Sequence, residues 1–321
     1  MGTGSLSSGA LLLGMRGLSV ALFAVAALAF ALLCALAAVR VVRHPALIRA
    51  DARDPGTAFA PFTFVAALAV LGTRADLDGH TAWASVAVGL GIAGSLALAV
   101  PSLRMLRSRA GHLVTGTWLL PSVAVEALAL LAAALGLRLR SNGYEAVAVA
   151  MWLLGIPAYL VVIKAIVGQL RRLPVRGAGL TPDYWTVLGV PSLIGLAAAR
   201  LSAAQDLSAA SWLHAVYEPA AFAGLTVSAV LAPAWIRLQA RRLMRDPSSR
   251  RYSPAWWGLV FPTAIVSANA EVISETLRVP WLHPAAVVGF WCVLAAWAVL
   301  MLGLVRNLLH RSAPEARPAP S

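Results

Sequence analysis

The chain is poor in charge and nearly devoid of lysine. Only 12% of its 321 residues are Asp, Glu, Lys or Arg. A soluble domain carries a charged coat of about a quarter of its residues, so a globule wetted on all sides is excluded. The two cysteines, Cys34 and Cys292, both fall inside apolar runs. That excludes a disulfide framework or a cysteine metal site and leaves buried packing as their expected role. There is no nucleotide-binding loop. None of the six histidines stands at metal-ligand spacing from an acid or a cysteine. No enzyme activity, metal or cofactor is expected. Polar and apolar residues do not alternate along the runs, which excludes a transmembrane barrel.

Apolar surface is what the chain has in excess. Residues of the AVILMFWYC set make up 60% of it, and its mean hydropathy is +0.78. Lipid admits helices or closed barrels alone, because every backbone polar group must be satisfied internally. Ten apolar segments follow one another, at about 2–15, 17–39, 58–73, 81–101, 115–137, 144–170, 183–204, 209–236, 254–277 and 283–305. Most reach the roughly 20 residues that a helix needs to cross the bilayer core. The expected fold is an all-α integral membrane protein, with residues 1–311 as one transmembrane transport domain. Residues 312–321 hold three prolines and are expected to form a disordered cytoplasmic tail.

A net charge of +13 would point to nucleic acid in a soluble protein. Here its distribution gives another account, and no nucleic-acid partner is expected. Lys164 is the only lysine, so 25 of the 26 basic residues are arginine. Nineteen arginines follow even-numbered segments and five follow odd ones. By the positive-inside rule both termini should be cytoplasmic, with the segments paired as five hairpins in the cell membrane. The start lacks a basic n-region, so a cleaved signal peptide is not expected. Segment one would rise only about 21 Å as a helix. It is expected to be the second half of a helix that begins upstream of Met1.

The odd segments share a layout of aromatic residues, then a proline, then small residues. Phe59, Pro61 and Phe62 open the third; Trp118 and Pro121 the fifth; Trp185 and Pro191 the seventh; Trp256, Trp257, Phe261 and Pro262 the ninth. A proline inside a helix removes a donor, frees a carbonyl and kinks the helix. Four kinks at matching depth, at Pro61, Pro121, Pro191 and Pro262, would line a central path with polar backbone.

Ionisable residues inside the membrane are costly and point to function. Arg200 and Glu275 stand near segment ends and are expected to snorkel outward. Glu126 and Glu271 lie on the odd segments. Two readings stay open for them: a proton relay, or a structural ion pair, for example with Lys164.

Four stretches resemble a known family. These are Met1 to Gly4, reading MGTG; His44-Pro45 followed by Phe59 to Phe64; Pro182 to Trp185 followed by Gly189; and SPAWWGLVFP over Ser253 to Pro262. They are similar to the tellurite-resistance/dicarboxylate transporter family, which includes the plant slow anion channels. The resemblance implies ten helices in five hairpins around a quasi-fivefold axis, with the odd helices lining a pore. It implies that Phe261 occludes that pore, with Phe62 and Trp257 as pore aromatics, and that the protein is a homotrimer in the bilayer. Implied substrates are small anions: chloride, nitrate, sulfite, malate and similar dicarboxylates. In the family the MGTG motif lies within the first helix, whereas here it opens the chain. The expected mechanism draws anions by freed backbone dipoles and a basic cytoplasmic rim, because the odd segments show no central arginine. The alternative is a proton-coupled transporter of dicarboxylate or sulfite using Glu126 or Glu271.

Overall fold

A computed structural model describes residues 1–107, 113–172, 181–204, 211–246 and 252–312. The expected tail lies outside the described residues, apart from Ser312. Eleven α-helices follow in chain order: α1 Gly2–Leu12, α2 Arg16–Arg43, α3 Pro45–Asp51, α4 Phe62–Leu77, α5 Thr81–Arg107, α6 Leu120–Leu139, α7 Asn142–Arg172, α8 Thr186–Ala203, α9 His214–Arg245, α10 Trp257–Thr276 and α11 Leu282–Ser312. No strand occurs among the described residues. Seven of the spans are long and apolar enough to cross a membrane. Short α3 buries none of its residues.

Burial sorts the helices into two rings. Of the apolar stretches containing α6 and α8, 83% and 89% are buried, against 11 to 33% for α2, α5, α7, α9 and α11. Packing contacts run α1 to α4 to α6 to α8 to α10 and back to α1, closing an inner ring of five. Each outer helix packs on its hairpin partner and on the next inner helix, as α7 does on α6 and α8. A helix that is apolar all round belongs inside such an assembly. The outer helices present leucine and valine outward, for example Leu28, Leu32, Leu96 and Val299, which suits lipid as the solvent. Neither cysteine is buried as expected: Cys34 is half-buried and Cys292 exposed, because both lie on outer helices.

The hairpin turns repeat one device. The residue before the turn's last amide takes a left-handed conformation at Gly14, Gly79, Arg140 and Arg278. The next amide reaches back five residues: Met15 to Ala10, His80 to Ala75, Ser141 to Gly136 and Val279 to Ser274. This satisfies a carbonyl at each helix end that the helix itself leaves open.

The prolines divide into two pairs. Pro191 and Pro262 are each the sixth residue of α8 and α10, and Gly189 lies against Pro262. Pro61 immediately precedes α4, and Pro121 lies in the first turn of α6. The expectation of four mid-helix kinks is therefore corrected, since a proline in a first turn displaces no internal hydrogen bond. Nor do the carbonyls loosened by Pro191 face a central path. The Tyr159 hydroxyl of α7 donates to Val187 O at 3.4 Å, and the Ser228 hydroxyl of α9 to Leu188 O at 2.7 Å. The outer ring satisfies them.

The rings are joined by small residues and hydrogen bonds, the usual means of holding helices together in lipid. Trp152 Nε1 of α7 donates to Ile194 O at 3.0 Å, and Ser267 Oγ of α10 to Ala286 O at 2.8 Å. Helices α8 and α9 cross at Gly195 and Gly224. A Cβ on Gly224 would strike the Pro191 carbonyl oxygen, which is backbone and cannot step aside. Gly224→Val should therefore sharply lower the melting temperature in detergent or abolish monodisperse protein, since over-packing costs about 1–3 kcal/mol even where side chains can give way. Gly168→Ala in α7, which meets nothing within 4 Å, should leave it unchanged. Equal melting of the two variants would overturn the crossing.

Candidate functional site

A cavity of about 300 Å³ occupies the axis of the inner ring, and all five inner helices wall it. The contributions keep helical spacing: Ser5, Ser8 and Leu12 on α1; Val70, Thr73 and Asp76 on α4; Ala127, Leu130 and Ala134 on α6; Leu193, Leu196 and Arg200 on α8; Ile265, Ala268 and Val272 on α10. Steps of three and four residues place each set on one face of its helix. The cavity thus occupies the C-terminal portion of the inner helices.

One turn before the first lining residue of each helix stands the next residue of that face. The five are Met1, Ala66, Val123, Gly189 and Phe261. Ala66, Val123, Gly189 and Phe261 are buried. Phe261, 4% exposed, is the only aromatic of the set, and Gly189 leaves the one place without a side chain. Gly2 at the start of α1 packs on Val260 and the Phe261 amide, which puts the start of α1 at the level of Phe261. Phe62 is buried two turns before Val70 on the same face of α4. Trp257 faces elsewhere: it packs with the cluster of Leu6, Val260 and Phe290 and donates to the Tyr252 hydroxyl at 3.1 Å.

The far end of the cavity is charged. Asp76, Arg138 and Arg200 all line it. Arg138 Nε donates to Asp76 Oδ1 at 2.8 Å. Arg200 makes no hydrogen bond or ion pair with a described residue; the acids that feel its charge are Glu275 and Asp76. Two expectations are corrected here. Arg200 turns into the cavity instead of snorkelling outward, and the inner helices do supply arginines to the central space. Arg74 and Arg138, counted from sequence as loop residues, belong to the last turns of α4 and α6. Their shared signal was position: Asp76, Arg138 and Arg200 each stand within four residues of an inner-helix end.

The carboxylates singled out from sequence point away from the cavity. Glu126 is fully buried between α6 and α7. Neither of its oxygens has a hydrogen-bond partner, and its carboxyl packs on Gly155, whose carbonyl accepts from Ser122 Oγ at 2.9 Å. Glu271 pairs with His283 Nδ1 at 2.9 Å, joining α10 to the start of α11. Lys164 is exposed on outer helix α7. It pairs with neither acid, so the sequence example of a Lys164 ion pair is replaced by Glu271–His283. That contact went unforeseen because the two residues lie twelve apart across a turn.

The geometry is that of an axial cavity, charged at one end and bounded at the other by a level of buried residues that includes Phe261. Sequence comparison bears on which proteins share it. An uncharacterized membrane protein of Mycobacterium tuberculosis, in strains CDC 1551 and H37Rv, is 23% identical over 150 residues, covering 47% of this chain and 76% of the relative. The profile of the voltage-dependent anion channel family, SLAC1, matches residues 1–305. The chain belongs to that family, whose members carry anions across membranes.

Proposed function

We propose that this protein conducts small anions along the axis of the inner ring, through the cavity and past Phe261. The observation that carries this reading is the cavity itself: five helices wall it, and its lining face on α10 runs on to a buried phenylalanine one turn deeper. Pro191 and Pro262 stand inside α8 and α10 near that depth, with Phe62 on the adjoining stretch of α4. Arginines stand in the last turns of outer helices α2, α5, α7 and α9, at Arg43, Arg107, Arg172 and Arg245. By charge bias that side is cytoplasmic, as are both termini, and the membrane is the cell membrane. The assembly is a homotrimer. Candidate cargoes are chloride, nitrate, sulfite and four-carbon dicarboxylates.

The proton-coupled alternative finds less support, because Glu126 and Glu271 face α7 and α11 rather than the cavity. Anion flux into proteoliposomes distinguishes the two. Flux should follow the anion's own electrochemical gradient and ignore an imposed pH gradient. Accumulation that requires the proton gradient would overturn the channel reading, and absence of flux for every anion would overturn transport along this axis.

A further inference from the structure

The charges that line the cavity are unequal, and one of them makes no direct ion pair. Arg138 is held by Asp76 at 2.8 Å. Arg200 faces the same space with no hydrogen bond or ion pair to a described residue. A guanidinium inside a membrane protein is costly unless an opposite charge meets it. The three charges that line the cavity, Asp76, Arg138 and Arg200, sum to a single positive charge, which Glu275, outside the lining, offsets in part at Arg200.

We propose that Arg200 coordinates the anion at the cavity mouth and fits the site to singly charged planar oxyanions, with short-chain monocarboxylates as the best match. This rests on the cavity being the transport path. The argument has three parts. First, the guanidinium offers a planar fork of donors that matches two carboxylate oxygens, whereas a halide meets it at one point. Secondly, Arg200 is the one lining cation without a direct ion pair, so the wall offers an open contact to one carboxylate and not to two. The second carboxylate of a dicarboxylate would face Leu193, Leu196 or Ile265, which donate nothing, or would have to displace Asp76 from Arg138. Thirdly, the same apolar walls suit the short aliphatic body of a monocarboxylate.

Deeper along the axis, Ser5 supplies a second contact. Its residue lines the cavity one turn above the Phe261 level, is 4% exposed, and its Oγ has no partner. The other two lining hydroxyls are engaged: Ser8 donates to Gly4 O and Thr73 to Ala69 O. A carboxylate leaving Arg200 therefore meets one free hydroxyl just before the constriction. Spaced, individually weak contacts allow an ion to leave as well as to enter.

The test is bi-ionic reversal potentials across planar bilayers holding the full chain in a Phe261→Ala background, with chloride, acetate or malate opposed at neutral pH. Leakage of the neutral acid carries no current and does not interfere. Acetate should be more permeant than chloride and malate. Arg200→Lys keeps the charge and removes the fork, so it should lower the acetate-to-chloride permeability ratio about tenfold while current persists. Malate as permeant as acetate, or an unchanged ratio in Arg200→Lys, overturns the assignment and leaves transport standing. Absence of anion current in the unaltered Arg200 background overturns the transport reading instead. Should Arg200→Lys fail to fold, thermal protection of the wild-type chain decides: acetate should protect at lower concentration than malate or chloride, and the reverse order overturns the proposal.

Discussion

Replacing Phe261 with alanine should raise anion conductance roughly ten- to a hundredfold over the unaltered chain. The size of the effect follows from what the ring must give up to let an ion by. Phe261 is buried in the inner-ring core with Ile265, Val187 and Leu188. Burying a phenylalanine stabilises by about 1.5–3 kcal/mol, and each ~1.4 kcal/mol of barrier is a tenfold change in rate. Removing the ring removes that displacement step. Gly189, at the same level on α8, lets α8 approach Pro262 beside the ring, where an added Cβ would come within 2.7 Å of the proline. Gly189→Ala should therefore push α8 and α10 apart at this level and lower the melting temperature.

Phenylalanine-to-alanine changes in cores also cost about 3–5 kcal/mol of stability, so a dead Phe261→Ala could be an unfolded one. Phe261→Leu separates the cases. It keeps most of the packing volume and sheds the flat ring, and should conduct between the two extremes with near-normal melting. Conductance of Phe261→Ala equal to that of the wild type, in protein that melts normally, would reduce Phe261 to packing filler.

Much of the architecture was legible because it is written in one dimension. Segment lengths gave the helices, and the arginine bias gave the hairpins and their common direction. The facing of side chains was not legible. On α6, α8 and α10 almost every position is buried, so no polar stripe tells the cavity face from the faces on neighbouring helices. Sequence therefore gave the depth of Glu126 and Glu271 but not their azimuth, which turns out to face α7 and α11. The same ambiguity hid Arg200, since a charge near a helix end can turn outward to water or inward to a cavity. Pro61 and Pro121 were misjudged differently. Whether a proline kinks a helix or starts it depends on a boundary a few residues away, and these two stand at boundaries.

Arg74 shows what such a hidden arginine does when it serves structure alone. Its side chain is fully buried beside the cavity wall. Nε reaches Ser7 Oγ at 3.0 Å and Ser19 Oγ at 2.9 Å, NH1 meets Asp78 at 2.6 Å, and the guanidinium lies over the Phe23 ring. Four residues on α1, α2 and the end of α4 thus converge on one cation, and the two serines also exchange hydrogen bonds with each other's carbonyls at 2.7 Å. Removing one member of a buried pair costs about 3–5 kcal/mol, because the remaining groups stay desolvated. Arg74→Ala should therefore lower the melting temperature steeply and loosen α1 from the inner ring. Arg74→Met fills the same space without burying a charge, and replacing a buried ion pair by apolar volume is often neutral or better. It leaves the serine pair intact, and Asp78 keeps some contact with water. Arg74→Met should melt within a few degrees of the wild type and conduct normally. If methionine proved as damaging as alanine, the cation itself would be required, and Arg74 would join Arg200 among the residues that set the field along the axis.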